Sequence, residues 1–428
     1  MNIVIIGLHS AHNEGDRYLL DRSLTLLQEV FPHAHITLVA NDPESFHSFG
    51  NVIPSLTWCL KRSSPSRPST WVWEALVRAP VWMSRMILGL RQKQIPVHLP
   101  PPLKNLVRIF LHANLVIAAP GNYLYSSGRT GLVFFLTAFH LWMATIAEKP
   151  LYLLPQSIGP LRHARERVFL QYILSKARLI FLRDELSARL VASLGKRSKS
   201  FRAVVVPDLA FTLDVLSTDQ GRELLSPFRF SELKGPKLGV TVLDWQRLNP
   251  AFQGQERYER AVASALDFFI SQYRGYAFLF PQVRGPSLAE NDLIPAKRVY
   301  TYANQQDRIF IVEHVGSKEQ LLSAYGLMDM LLGTRLHSVI FAFTQGVPVL
   351  AIAYQPKTIG VLRTVGLEQW VINIEEVTGT RLIQLLTQLW NQRDSVSAHI
   401  AHLHQHIRTQ MAWIGETIRR DYENVAAK

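Results

Sequence analysis

Cysteine is almost absent: Cys59 is the only one in 428 residues, which excludes an intrachain disulfide and any cysteine-based metal site. Acidic residues are also in short supply. Thirty-three Asp and Glu stand against 46 Lys and Arg, a net charge of +13, so anionic partners such as phosphorylated metabolites or acidic lipid headgroups are favoured. The basic residues are scattered, and no RNP, zinc-finger or helix-turn-helix pattern occurs, so no nucleic-acid partner is expected. There is no HExxH and no clustered His/Asp ligand set, so no metal is expected either. The chain opens directly on Asn2-Ile3-Val4-Ile5-Ile6-Gly7, too short and insufficiently basic for a signal peptide, and a cytoplasmic location is expected. One uncharged apolar run, Gly131 to Ala147, falls short of the roughly 20 residues a bilayer requires and contains His140. It is read as a buried helix.

What the chain does contain is a packed-protein composition, 48% hydrophobic and 18% charged, over a length that suits two domains. Short β-rich runs alternate with helical patterns. Strands are expected at Ile3–Ile6, His35–Val39, Leu115–Ala118, Leu151–Leu154, Leu179–Leu182 and Ala203–Val206, with amphipathic helices such as Tyr18–Val30 and Glu166–Lys176 between them. Residues 217–236 are polar and broken by Pro227, Gly235 and Pro236, as a linker would be. The alternation then resumes with strands at Leu238–Leu243, Ala277–Phe280, Ile309–Val312, Met328–Leu332 and Val347–Ile352, and ends in a helical C-terminus from Gly379. Apolar strands separated by helices indicate parallel sheets covered on both faces. The expected architecture is therefore α/β, with domains at 1–216 and 237–428. A Trp/Arg-rich insertion at about 62–102 carries Trp71, Trp73, Trp82, Arg78, Arg85 and Arg91. Arg and Trp on one amphipathic helix suit either a membrane surface or packing on the first domain with snorkelling arginines.

Five groups of residues follow strand ends, where α/β proteins bind ligands. The first is Asn13-x-Gly15-Asp16: Gly15 permits close backbone approach and Asp16 can cap the helix beginning near Arg17. The second is Ala119-Pro120-Gly121-Asn122 with Arg129 beyond it, a small-residue loop with a cation. The third is Pro155-Gln156-Ser157-Ile158-Gly159-Pro160, where Gln156 and Ser157 supply uncharged donors and acceptors for a sugar or phosphate oxygen. The fourth is Arg183-Asp184-x2-Ser187, whose arginine suits bidentate recognition of carboxylate or phosphate. The fifth is Gly333-Thr334-Arg335-Leu336-His337-Ser338 with Tyr354-Gln355-Pro356-Lys357 behind it. Arg335, His337 and Lys357 offer a fixed cation, a side-chain type that titrates near neutrality and a point charge. That set suits a doubly anionic substrate that must also exchange a proton.

Taken in order, NxGD, the Gly loop, QSIGP, RDxxS, Pro207-Asp208-Leu209-Ala210-Phe211, GTRLHS, GVPVLAIAY and PK resemble the polysaccharide pyruvyl transferase family from Gly7 to about Gly366. The chain departs from that pattern at Ala119-Pro120-Gly121-Asn122, where family members show a run of glycines. The resemblance implies two Rossmann-like domains with parallel sheets, GT-B-like, with the active site in the interdomain cleft. It implies phosphoenolpyruvate as co-substrate with no other cofactor, and a glycan or lipid-linked saccharide as acceptor, which ends as a pyruvate ketal on a hydroxyl pair. Under it His337 is the expected general acid/base, with Arg335 beside it at the reacting centre. Arg183, Lys357, Asn13, Gly15, Asp16, Gly121, Asn122, Arg129, Gln156, Ser157, Gly159 and Ser338 are expected around the substrates. Two other readings stay open. One is a nucleotide-sugar glycosyltransferase, for which Glu368 and Glu376 stand at a Glu-x7-Glu spacing. The other is a non-catalytic protein that binds anionic glycan or lipid.

Overall fold

The computed structural model describes residues 1–427 except 12, 63–67, 127–130, 196–200, 284–290 and 315–316, and it leaves the side chains of 14, 68–76, 318 and 356 aside. Arg129 therefore lies outside the described residues. The chain divides into two units: Met1–Leu209 with Gln410–Lys428, and Ala210–Thr409.

In the first unit, β1 (Asn2–Leu8), β2 (His35–Ala40), β3 (Asn51–Pro54), β4 (Leu115–Ala118), β5 (Gly121–Leu124), β6 (Leu151–Ile158), β7 (Leu179–Leu182) and β8 (Ala203–Val205) form one sheet. Its order is β3-β2-β1-β4-β6-β7-β8, with β5 paired to β6, and the pairings are parallel. β4 pairs with the start of β6 and β5 with its end. The interruption between them is Ala119-Pro120, where proline has no N–H to give to a ladder. Two expectations change here. Gly121 and Asn122 lie on a strand rather than a loop. Gln156 and Ser157 belong to β6, which runs on to Ile158 because β5 and β7 pair with its second half.

In the second unit, β9 (Lys237–Thr241), β10 (Tyr276–Leu279), β11 (Ile309–Ile311), β12 (Met330–Gly333), β13 (Val349–Ala353) and β14 (Val371–Asn373) form a parallel sheet in the order β11-β10-β9-β12-β13-β14. Both sheets are the doubly wound kind expected from the alternation. In each, the strand order reverses at one place: between β1 and β4, and between β9 and β12. Loops at the carboxyl ends of those strand pairs diverge and leave a crevice, where α/β sheets take their ligands.

The expected linker at 217–236 is instead part of the second unit. The helix Asp219–Leu225 packs on the helix Lys318–Tyr325, and the Ser323 hydroxyl both accepts from Gly221 N at 2.7 Å and donates to Ser217 O at 2.6 Å. A Cβ on Gly221 would meet Ala324 N at 2.5 Å, so only glycine lets the two helices approach this closely. The polar composition reflects an exposed outer face, with Leu225 and Phe230 buried beneath it. The C-terminal boundary moves as well. The final helix, Gly379–Ala426, contributes its residues from Gln410 onward to the first unit. There Asp421 accepts from Tyr152 Oη at 3.0 Å, Arg178 Nε at 2.9 Å and Arg202 Nη1 at 2.7 Å. Burial raises the Asp421 carboxyl pKa, but these donors outweigh it and hold the group below its ordinary range.

The apolar run becomes the helix Leu132–Ile146, buried in the core of the first unit. His140 is 4% exposed and its Nε2 accepts from Leu56 N at 3.3 Å. Burial pushes its pKa down to about 4, so the ring stays neutral inside the core. Among the described residues no helix is long and apolar enough to cross a membrane.

Candidate active site

A polar constellation of the second unit gathers at the carboxyl ends of neighbouring strands. Arg335 follows β12 and stands at the N-cap of the helix Leu336–Thr344. Its guanidinium grips Asp292 with two parallel bonds, Nε to Oδ2 at 3.1 Å and Nη2 to Oδ1 at 2.6 Å. Asp292 is 1% exposed, immediately precedes the helix Leu293–Tyr302, and also accepts from Val283 N at 3.0 Å. Burial works against charge on both partners. It lifts the Asp292 carboxyl above the usual range, against the pull of Arg335 and the Val283 N–H. On Arg335 it is outweighed by the carboxylate and by Tyr354, which hold the guanidinium charged. Tyr354, just after β13, packs against Trp245, just after β9, with ring centroids 4.8 Å apart. Burial raises the Tyr354 phenol pKa, and Arg335 offsets part of that rise.

A row of hydrogen-bonded hydroxyls lies along the turn that carries Arg335. Thr334 N donates to Thr241 O at 3.0 Å, and the Tyr258 and Thr334 hydroxyls share a bond at 2.6 Å. Ser338 Oγ bonds Thr241 Oγ1 at 2.7 Å and donates to Arg335 O at 2.7 Å. Ser338, expected at the substrate, is fully buried and bonded to the arginine's backbone carbonyl. Beside the turn, Arg298 ties Asp244 at 2.8 Å to Glu259 at 2.6 Å, which anchors the segment that carries Trp245. His337 is the second residue of its helix, partly buried, with its ring centroid 6.0 Å from that of Phe341. Lys357 lies in the first turn of the helix Pro356–Arg363, after the adjacent strand β13, and is partly exposed. Both helices begin at the sheet's carboxyl edge, so their N–H groups and dipoles favour an anion there. The Tyr325 hydroxyl, Gln282 Oε1 and Thr358 Oγ1 are buried with no partner among the described residues. Such atoms each cost about 1–3 kcal/mol unless a ligand or solvent meets them.

The first unit treats its expected site residues differently. Asn13, rather than Asp16, caps the first helix, accepting from Gly15 N at 3.0 Å; Asp16 falls inside that helix, partly exposed. Arg183 is 2% exposed and ion-paired with Asp208, itself fully buried. It also donates to Ser157 Oγ at 2.9 Å. Ser157 donates on to Asp184 at 2.6 Å, and Asp184 accepts from Ser187 N at 2.7 Å. Arg183 and Ser157, expected at the substrate, are thus engaged in an internal network that joins β6 to the turn after β7. Gln156 is fully buried and donates to Tyr123 Oη at 3.1 Å, while its Oε1 and Asn122 Oδ1 are buried without a partner among the described residues. Gly159 follows β6 and lies under Leu190. Gly7 at the end of β1 has φ +87°, and a Cβ there would fall 2.5 Å from the Tyr123 ring. Gly7→Ala is therefore expected to destabilise the protein by about 1–3 kcal/mol, through backbone strain and overpacking, read as a lower denaturation midpoint.

With this geometry in place, comparison with known proteins is decisive at one point: the family model described as polysaccharide pyruvyl transferase matches residues 13–356, most of the chain. The chain belongs to the polysaccharide pyruvyl transferase family. Among curated relatives of this family member is the amylovoran biosynthesis protein AmsJ of Erwinia amylovora, 21% identical over 411 residues, with 94% of this chain and 95% of the relative covered. Among solved structures, the UDP-GlcNAc 2-epimerase of Neisseria meningitidis bound to UDP-GlcNAc matches with a TM-score of 0.59 at 10% identity, covering 98% of this chain and 100% of that one. A glycosyltransferase of Rickettsia africae matches with a TM-score of 0.55 at 10% identity, covering 98% of each chain. At such identities the likeness is one of fold, and it is the GT-B-like fold that the motif order implied. The glutamates that a glycosyltransferase reading singled out, Glu368 and Glu376, are both exposed and flank the strand Val371–Asn373.

Within this pyruvyl transferase family member, the structure groups with Arg335 three residues that the sequence motifs did not include, Asp292, Trp245 and Tyr325. Asp292 sits 43 residues from Arg335, in a polar segment with no motif of its own. The signal that was present is the type of pairing: an arginine at a buried strand end needs a carboxylate partner.

Proposed function

We propose that the chain transfers the enolpyruvyl group of phosphoenolpyruvate to a hydroxyl pair of a glycan or lipid-linked saccharide, forming a pyruvate ketal and releasing phosphate. The observation that carries this reading is the Arg335–Asp292 fork at the carboxyl edge of β12, set beside two helix N-termini that bear His337 and Lys357. A fixed cation, a second cation and two dipole ends suit a donor with both a phosphate and a carboxylate.

In the proposed sequence His337 delivers a proton to the methylene carbon, which leaves cationic character on the central carbon. A sugar hydroxyl oxygen bonds to that carbon and passes its proton to the imidazole of His337, which restores the acid. The carbon–phosphate oxygen bond then breaks, and phosphate departs with the electron pair. The second hydroxyl closes the ketal, and its proton leaves with phosphate. Arg335 and Lys357 offset charge that develops on the phosphate. Asp292 keeps Arg335 in one orientation, and Tyr354 completes the guanidinium's contacts. Neither a metal nor a redox group is asked for by these steps.

The test is phosphate release from phosphoenolpyruvate by purified protein, across galactoside, mannoside and N-acetylmannosamine acceptors. Acceptor-dependent release supports the proposal; silence, with turnover of a nucleotide sugar in parallel, overturns it. Arg335→Lys is expected to lower kcat/KM for phosphoenolpyruvate by about 10²–10³, because an ammonium cannot reproduce the planar two-bond grip on Asp292.

A further inference from the structure

The helix Pro68–Gln92 has two apolar faces, and only one of them is buried. Ala79, Met86, Ile87 and Leu90 point into the core of the first unit. On the other side Val77, Val81 and Leu88 are 63%, 46% and 54% exposed, and their spacing places them on one stripe of a helix. Arg78 and Arg85 fall along one edge of that stripe and Arg91 along the other, all exposed. The chain then turns back beside the helix: Gln94 N donates to Gly89 O at 2.9 Å, and Arg85 Nη1 donates to His98 O at 2.7 Å. This return brings Ile95 and Val97, 37% and 75% exposed, next to Arg85. They add exposed apolar surface to the turn after the helix.

Charge around the patch is predominantly positive, with Glu74 the single acidic residue of the helix itself. No Asp or Glu occurs from Ala75 to Ala147, whereas Arg78, Arg85, Arg91, Lys93, Lys104 and Arg108 do. The helices packed against this one, Leu56–Arg62, Pro101–His112 and Leu132–Ile146, contain no acidic residue. An exposed apolar stripe flanked by arginines is the pattern of a helix that lies in a bilayer interface. There the apolar side chains enter the acyl boundary and the guanidiniums meet phosphates.

We infer that the helix Pro68–Gln92 and the turn after it dock on an anionic lipid bilayer. A nucleic acid or acidic polysaccharide would account for the arginines but leaves the exposed valines and leucine without a role. The inference stands on this surface alone and does not depend on the proposed reaction.

Flotation of the full chain with phosphatidylcholine vesicles, with or without phosphatidylglycerol, tests it. Binding is expected only with phosphatidylglycerol present, and weakening as salt is raised. Val77→Ser, Val81→Ser and Leu88→Ser combined are expected to abolish flotation while circular dichroism stays unchanged, since all three sites are exposed. Arg78→Gln with Arg91→Gln is expected to weaken binding about fivefold per arginine. Failure of the full chain to float with the anionic vesicles, or retention of binding by the folded serine variant, overturns the inference. The latter outcome assigns the patch to a polyanion instead.

Discussion

His337→Ala is expected to lower kcat by about 10²–10⁴, the range spanned by loss of a positioned proton donor, while the KM for phosphoenolpyruvate changes little. The expectation rests on where the residue sits. It is the second residue of a helix that starts at the switch point of the second sheet, two positions beyond the arginine assigned to the donor. Proton delivery to carbon is the hard part of the proposed reaction, and among Arg335, His337 and Lys357 only the imidazole is of a type that both holds and releases a proton near neutrality. Because anion binding is assigned to Arg335 and Lys357, the alanine variant should still bind donor. Steady-state kinetics with a competent acceptor separates the outcomes. A fall confined to kcat supports the assignment, whereas a raised KM with unchanged kcat makes His337 a binding group and moves the proton donor elsewhere.

Arg183→Ala is expected to act on stability. The side chain is 2% exposed and its partner Asp208 is fully buried, so truncation removes the cation paired with a carboxylate in the core. Breaking a buried pair in this way costs about 3–5 kcal/mol, which for a unit of this size lowers the melting temperature by roughly 6–20 °C. Ser157, which accepts from Arg183 and donates to Asp184, loses part of its network too. The double variant Arg183→Met with Asp208→Leu is expected to recover much of the loss, because it removes both charges rather than one. Differential scanning calorimetry of the three proteins checks this. An unchanged melting temperature with a raised KM for phosphoenolpyruvate would return Arg183 to the substrate.

The two arginines illustrate what local reading can and cannot do. Arg183 and Arg335 both follow short apolar strands and both precede helices, so in sequence they look alike. Their fates differ in exposure, 2% against 16% for the side chain, and in surroundings. Arg183 is enclosed by β6 and the segment after β8. Arg335 stands among Trp245, Asp292 and Tyr354, near buried hydroxyl and amide oxygens that find no partner among the described residues. The same ambiguity affected Gln156 and Ser157. A Pro/Gly-flanked stretch reads as a loop, yet pairing on both edges made it strand.

By itself the sequence determined the α/β class, the alternation that yields two parallel sheets, the buried nature of the apolar run around His140, and the ordered motifs of a pyruvyl transferase. These properties are legible because they depend on periodicity and on residues close together in the chain. Only the tertiary structure decided that residues 217–236 belong to the second unit, that the last helix returns residues to the first, that Asp292 holds Arg335, and that Arg183 is internal. Each of those depends on strand order and helix packing, which bring together residues tens to hundreds of positions apart. No local pattern encodes which distant partner a buried charge will meet.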